Sequence, residues 1–258
     1  MIVLKSPREI EVLRRAGVIL ADVMDRLRTV VKAGMSTLEI DEEVEAFIEK
    51  RGATPAFKGY RGFPATVCVS INDEVVHGIP SAHRRLKEGD IVGLDLGCVV
   101  DGYYADCAFT MPIGDIPPAV QRLLDVTRES LYLAIEQCRP GRRLGDVSHA
   151  VQRHVESHGF AIVRAFVGHG IGRALHEEPQ VPNFGDPGRG PVLRAGMVLA
   201  IEPMVTMGSG DVRVLDDGWT AVTRDGSLAA HFEHTIAVTE DGPDVLTRAG
   251  SAGTGGTR

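Results

Sequence analysis

The chain has 258 residues, of which 43% are hydrophobic and 24% are charged, and this composition is typical of a globular protein. Its net charge of −7 and the lack of a long basic run exclude nucleic acid and anionic membrane as expected main partners. No stretch approaches the roughly 18 apolar residues of a membrane-spanning helix. Early charges at Lys5 and Arg8 argue against a signal peptide, and the four cysteines lack zinc-finger spacing. We therefore expect a cytoplasmic protein with reduced thiols.

Two capping boxes predict the first two helices. Residues 6–9 (Ser-Pro-Arg-Glu) begin the first, and apolar residues then recur at helical spacing to about residue 30. Residues 36–39 (Ser-Thr-Leu-Glu) begin the second, which Gly52 ends. An irregular section with β-strand character follows from residue 53 to residue 80.

The stretch from Asp90 to Met111 predicts a β-hairpin. Two apolar runs flank Asp101-Gly102, a pair that accepts positive φ and forms two-residue turns. The register that follows is Val100 with Tyr103, Gly97 with Asp106 and Asp95 with Ala108. Asp95 and Asp106 then share one face, where two like charges among apolar neighbours are unfavourable without a cation. The alternative is that both carboxylates point to solvent.

A repeat relates the two halves of the chain. Adding 107 to Gly34, Val44 and Gly52 gives Gly141, Val151 and Gly159. The same shift carries Asp95 onto Glu202, and Asp106 has a looser counterpart in Glu233. We predict two similar halves, at about 1–115 and 116–248, whose sheets meet, and a disordered tail at 249–258.

Four carboxylates and one histidine are therefore candidates to meet between the halves: Asp95, Asp106, Glu202, Glu233 and His169. Their roughly four negative charges would balance two divalent cations, and a carboxylate-rich set with one imidazole suits Mn, Fe, Co or catalytic Zn. Two metal ions roughly 3.5–4 Å apart can activate a water for hydrolysis. The alternative is that these acids form ordinary salt bridges at strand ends.

Several motifs together resemble those of type I methionine aminopeptidases. They are Val-His-Gly-Ile-Pro at 76–80, Asp95 with Asp106, Gly-His-Gly-Ile-Gly-Arg at 168–173, His-Glu-Glu-Pro at 176–179, Ile-Glu-Pro at 201–203 and Glu-His-Thr at 233–235. The resemblance extends from about Ser6 to Val245. It implies the pita-bread fold, an α+β fold of two pseudo-symmetric halves with antiparallel sheets covered by helices. It also implies one catalytic domain over residues 1–248.

The resemblance implies a metal-binding role for five residues. Asp95 would bind one ion, His169 and Glu202 would bind the other, and Asp106 and Glu233 would bridge both. A bridging water or hydroxide would attack the carbonyl of the first peptide bond. The two divalent ions would be drawn from Co, Mn, Fe, Zn and Ni.

Catalytic and substrate-binding roles follow from the same resemblance. Glu202 would shuttle a proton, His176 would stabilise the tetrahedral oxygen, and His77 would hydrogen-bond the scissile peptide. The methionine pocket would be lined by Tyr60, Phe63, Cys68 and Trp219. Without the resemblance, these four would be interpreted as ordinary core residues.

The expected function is removal of the initiator methionine from nascent polypeptide N-termini when the second residue is small, by a cytoplasmic monomer. Contact with the ribosome is left open. Two alternatives also remain: a proline-directed exopeptidase of the same fold, and a non-catalytic peptide-binding relative. Leu175 and Val76 stand where the family more often has an aromatic residue and a cysteine, which leaves fine specificity open.

Overall fold

The computed structural model describes residues 1–248, and the predicted disordered tail at 249–258 lies outside the described residues. The helices are α1 (Pro7–Val30), α2 (Thr37–Lys50), α3 (Pro118–Glu136) and α4 (Leu144–Ser157), with a 3-10 helix at Tyr60–Gly62. The strands are β1 (Thr54–Pro55), β2 (Val67–Ile71), β3 (Glu74–Val76), β4 (Ile91–Val100), β5 (Tyr103–Pro112), β6 (Ala161–Ile162), β7 (Gly168–Gly170), β8 (Glu177–Val181), β9 (Val198–Ile201), β10 (Met204–Thr206), β11 (Val212–Val214), β12 (Ala221–Thr223), β13 (Ala229–His231), β14 (Glu233–Thr239) and β15 (Gly242–Val245). None of the helices within residues 1–248 has the length and apolar character needed to cross a membrane.

Helices α1 and α2 begin at the predicted capping boxes. The Ser6 hydroxyl accepts from the Glu9 N–H while the Glu9 carboxylate accepts from the Ser6 N–H, and Ser36 and Glu39 repeat this arrangement. Such a cap contributes roughly 1 kcal/mol. Helix α4 has the bounds of α2 shifted by 107 positions, which agrees with the repeat in the sequence.

Strands β4 and β5 form the predicted hairpin. Asp101 and Gly102 occupy its turn with φ of 48° and 77°. The register is the predicted one, with Val100 opposite Tyr103 and Gly97 opposite Asp106. Helix α1 packs on both strands through a buried apolar face, and burying each large side chain contributes roughly 1.5–3 kcal/mol.

The main sheet joins the two halves of the chain. Its strand order is β1-β4-β5-β14-β9-β7-β8, with β2 also on β4 and β15 also on β14, and all of these pairs are antiparallel. The two halves meet where β5 pairs with β14 and Ala108 lies opposite Glu233. Each half has its own apolar cluster under its helices, and Phe232 contacts both clusters. The predicted α+β architecture is confirmed, and the junction places both halves' acidic residues side by side.

All four cysteines are buried free thiols. Burial raises the pKa of Cys98 and of Cys138 to about 12, which keeps both thiols protonated at neutral pH. This agrees with the expectation of a reduced core role.

Candidate functional site

The five candidate metal ligands come from five consecutive strands of the main sheet. Asp95 lies in β4, Asp106 in β5, Glu233 at the start of β14, Glu202 directly after β9 and His169 in β7. Neighbouring strands are about 4.8 Å apart, so adjacent positions on one face bring these side chains together. Strand pairing therefore brings together residues that are far apart in the sequence.

These side chains face a cavity of about 200 Å³. It is lined by every residue that the sequence analysis assigns to the site: Tyr60, Phe63, Cys68, His77, Asp95, Asp106, His169, His176, Glu202, Trp219 and Glu233. The remaining lining residues are Phe57, Arg61, Val76, Phe166, Val167, Leu175 and Met204. Val76 and Leu175 are the two positions that leave fine specificity open, and the other five are mostly apolar and lie in none of the motifs that carry the resemblance.

The carboxylates at the base of the cavity are strongly desolvated. Asp106 is 5% exposed and Glu233 is 2% exposed. Burial raises the pKa of Asp95 to about 7. Burial, followed by repulsion from neighbouring carboxylates, raises the pKa of Asp106, Glu202 and Glu233 well above the usual range. Such a cluster is unfavourable in its charged form unless a cation offsets it.

Unpaired oxygen atoms indicate where a cation would bind. Within the described part of the chain, Oδ1 of Asp95, Oδ1 of Asp106 and Oε1 of Glu233 are buried without a hydrogen-bond partner. Asp106, Glu233 and His169 each offer one ligand atom, and the three atoms lie within 4.8 Å of one another. This set of oxygens and an imidazole nitrogen fits a divalent metal ion.

His169 directs a nitrogen lone pair towards these carboxylates. Its Nδ1–H donates to the carbonyl of Gly170 at 2.9 Å, which leaves Nε2 unprotonated. Nε2 lies 3.5 Å from Glu202 Oε1 and 3.8 Å from Asp106 Oδ2. Burial lowers the pKa of His169 to about 4, so the ring is neutral at pH 7. A lone pair facing carboxylates is repelled unless a cation lies between them, so the geometry fits a metal ligand.

Tyr60 orients His176 at the side of the cavity. The Tyr60 hydroxyl lies 2.8 Å from His176 Nδ1, and the two rings stack with centroids 5.3 Å apart. If the hydroxyl donates to Nδ1, Nε2–H of His176 is left to donate elsewhere. Burial, and then the charge of Arg61, lower the pKa of His176, which favours the neutral ring.

The loop that carries His176 is held by a buried ion pair. Lys5 Nζ lies 2.5 Å from Glu177 Oε2, and Glu177 Oε1 accepts from the N–H groups of Arg173 and Ala174 at 2.7 and 3.2 Å. A Cβ at Gly172 would lie 2.4 Å from Lys5 Cε, so glycine leaves room for the pair. Lys5 and Glu177 are 172 positions apart, and no local pattern in the sequence could have found this contact.

His77 has a backbone conformation that is unfavourable for a non-glycine residue, with φ of 63°. Its neighbours hold it there: Val69 N–H donates to the Gly78 carbonyl at 2.9 Å, and Arg84 donates to the Ile79 carbonyl at 2.6 Å. The ring packs edge-on against Phe166, with centroids 5.4 Å apart. Burial lowers the pKa of His77 to about 4. Strain of this kind persists mainly at functional positions.

An apolar slot adjoins the acidic base. Phe63 and Trp219 meet edge to face, with centroids 5.1 Å apart, and Cys68 is buried beside them. The backbone N–H of Trp219 donates to Asp217 Oδ1 at 2.8 Å, which fixes the position of its loop. The slot is soft and uncharged, so it suits an unbranched apolar side chain.

His231 is a buried polar residue that the sequence analysis missed. It is 3% exposed, and its Nε2 has no hydrogen-bond partner among residues 1–248. This nitrogen lies 3.8 Å from Glu202 Oε2, so Glu202 lies between two imidazoles. Burial lowers the pKa of His231 to about 3. His231 ends β13 and Glu233 begins β14, in different sheets, so the alternation of a single strand could not have identified His231.

Comparisons with known proteins show the family and the fold. The model of metallopeptidase family M24 matches residues 11–240. Methionine aminopeptidase 1 of Bacillus subtilis strain 168 is 52% identical over 248 residues, which cover 96% of this chain and 100% of that protein. The crystal structure of methionine aminopeptidase from Thermotoga maritima is 50% identical and has a TM-score of 0.95, covering 96% of this chain and 100% of that one. Prolidase from Pyrococcus furiosus, at 22% identity, has a TM-score of 0.76 over 95% of this chain and 65% of that one, which shows the fold alone. The predicted pita-bread fold is confirmed.

Proposed function

The chain belongs to metallopeptidase family M24 and, within it, to the methionine aminopeptidases, and we propose that it removes the initiator methionine from nascent polypeptides whose second residue is small. One observation carries the proposal: desolvated carboxylates and an imidazole lone pair converge at the base of a cavity with an apolar slot. The catalytic domain is residues 1–248, with halves at about 1–115 and 116–248. It acts as a cytoplasmic monomer on polypeptide N-termini.

Two divalent ions would be held at the base of the cavity. Asp95 would hold one, His169 and Glu202 would hold the other, and Asp106 and Glu233 would contribute to both. The unpaired oxygens and the His169 lone pair support this assignment. Such ions lower the pKa of a bound water and polarise the scissile carbonyl. Oxygen and imidazole ligands are compatible with Co, Mn, Fe, Zn and Ni.

Three side chains act on the substrate directly. Glu202 accepts a proton from the attacking water and returns it to the leaving amine. His176 donates Nε2–H to the carbonyl oxygen as its negative charge grows, with Tyr60 fixing the ring. His77 hydrogen-bonds the scissile peptide from the opposite wall.

The cavity selects the substrate by charge and by shape. The free amine at the substrate N-terminus is attracted to the acidic base. The methionine side chain enters the slot of Phe63, Cys68 and Trp219, and a packed slot cannot widen for β-branched residues without cost. A bulky second residue would collide with the walls at His77 and His176.

Two alternatives are less well supported. Identity of 52% to a methionine aminopeptidase, against 22% to a prolidase, favours the methionine-directed activity over a proline-directed one. A non-catalytic relative would be expected to have lost at least one of the five ligands, and all five positions are filled and face one cavity.

Digestion of short peptides tests the proposal. The chain, loaded with Mn or Co, is expected to cleave Met-Ala-Ser once and release methionine, while Met-Lys-Ser and acetyl-Met-Ala-Ser remain intact. Mass spectrometry of the three digests measures this directly. Cleavage of the acetylated peptide would exclude an aminopeptidase, equal cleavage of Val-Ala-Ser would exclude methionine specificity, and preferred cleavage of Ala-Pro peptides would favour the proline-directed alternative.

A further inference from the structure

Arg61 is the one cation among the described residues that line the cavity. The carboxylates lie at the base of this cavity, and the single guanidinium belongs to a residue nearer to the solvent. The Arg61 side chain is exposed, and its guanidinium carbon lies 5.4 Å from the centroid of the Tyr60 ring. Within the part of the chain that the structure describes it forms no ion pair, whereas Lys58 on the same loop pairs with Glu45 at 2.5 Å. The charge of Arg61 is therefore free to act on a ligand.

The loop backbone places this cation at the cavity rim. Arg61 has a left-handed conformation, with φ of 50° and ψ of 20°, which is unfavourable for a residue with a Cβ. Gly59 and Gly62 flank it with φ of 85° and 91°. The turn places the Tyr60 hydroxyl 2.8 Å from His176 Nδ1 and the Arg61 guanidinium carbon 5.4 Å from the Tyr60 ring centroid. A strained arginine at the entrance indicates a role for its charge.

Distances give the part of a substrate that Arg61 can reach. The ring centroids of His176 and Tyr60 are 5.3 Å apart, and the guanidinium lies 5.4 Å from the Tyr60 centroid. The guanidinium is therefore at most about 11 Å from the His176 ring, which equals about three residues of extended peptide. The scissile carbonyl lies at His176 under the proposed function. Substrate residues up to about the fourth are then within reach of the guanidinium.

We propose that Arg61 gives the enzyme a preference for acidic side chains at the third and fourth positions of its substrates. The proposal rests on the aminopeptidase activity proposed above and adds a charge selection to it. Two unit charges about 6 Å apart in water-like surroundings attract enough to change kcat/KM about threefold. Replacing glutamate by lysine at the third position then changes kcat/KM about tenfold. Added salt screens this effect.

Competition between three amidated peptides tests the preference. Met-Ala-Glu-Gly amide, Met-Ala-Gln-Gly amide and Met-Ala-Lys-Gly amide differ in the charge of the third residue alone, and amidation removes the carboxylate at the end. The Mn-loaded enzyme is given pairs of peptides in one tube, and mass spectrometry follows each product. We expect the order glutamate, glutamine, lysine, with about tenfold between the first and the last at low salt and a smaller ratio at about 0.5 M salt.

Four variants assign the effect to Arg61. Arg61→Gln is expected to reduce the glutamate-to-lysine ratio to one or below, Arg61→Glu to invert it, and Arg61→Lys to keep it. Lys58→Gln removes the same charge from the same loop outside the cavity and is expected to keep the wild-type ratio.

Two results would overturn the proposal. One is a wild-type ratio near one, and the other is an equal loss on all three peptides in Arg61→Gln, which would mean that Arg61 only supports Tyr60. Failure of the wild-type enzyme to release methionine from the glutamine peptide would overturn the aminopeptidase activity itself. The two failures are therefore distinguishable.

Discussion

Replacing Lys5 by methionine tests the ion pair that holds the His176 loop. Lys5→Met keeps the unbranched stem of the side chain up to the ε position and removes its charge. The Lys5 side chain is 4% exposed and that of Glu177 is 16% exposed, with 2.5 Å between Nζ and Oε2. After the change, the Glu177 carboxylate keeps the N–H groups of Arg173 and Ala174, at 2.7 and 3.2 Å, and loses its countercharge.

The expected cost follows from the burial of the pair. Removing one partner of a buried ion pair costs about 3–5 kcal/mol in unfolding free energy. The two backbone donors that remain offset part of this, so we expect about 2–3 kcal/mol. For a chain of this size that lowers the melting temperature by about 5–10 °C. Because His176 directly precedes Glu177, a looser loop is also expected to lower kcat about tenfold, with a smaller change in KM.

Thermal unfolding of Mn-loaded variants measures the effect. Lys58→Met is the matched control, because Lys58 also lies 2.5 Å from its partner, Glu45, yet the two side chains are 50% and 27% exposed. An exposed pair contributes little, so the control melting temperature should change by no more than about 1 °C. Lys5→Met with Glu177→Gln removes both charges and should recover part of the loss. Equal melting temperatures for Lys5→Met and Lys58→Met would refute the argument, as would strictly additive losses in the double variant.

Four further predictions concern the metal and His176. Asp106→Asn or Glu233→Gln should lower turnover of Met-Ala-Ser by at least about 10³-fold with the circular dichroism spectrum unchanged, and near-normal turnover at saturating Mn would contradict the ligand assignment. Mn should raise the melting temperature of metal-free protein by mass action. Without metal, the contribution of Asp95 to stability should fall as pH rises from 3.8 to about 7, since burial raises the pKa of Asp95 to about 7 and the folded state keeps a proton that the unfolded state releases; urea titrations of the metal-free protein and of Asp95→Asn over this range would show the difference, and parallel profiles would contradict it. Tyr60→Phe removes the 2.8 Å contact with His176 and should lower kcat about tenfold, measured against KM in steady-state kinetics.

The sequence by itself determined the local elements, because their signals lie within a few residues. The two capping boxes predict where α1 and α2 begin, and Asp101-Gly102 predicts the hairpin turn and its register. The offset of 107 residues pairs α2 with α4 and relates Asp95 to Glu202. The motifs, taken together, also indicated the family. Spacing without the resemblance left open whether the acids bind metal or form salt bridges.

Only the tertiary structure decided what lies between distant parts of the chain. The pairing of distant strands produces the order β4-β5-β14-β9-β7. That order brings Asp106 beside Glu233. The Lys5–Glu177 pair, the unpaired nitrogen of His231 and the place of Arg61 at the cavity rim have no periodic or local signal strong enough to identify them. The physical reason is that side-chain burial and electrostatic environment depend on packing between elements. Residues far apart in sequence acquire their chemistry only when the fold removes water from around them.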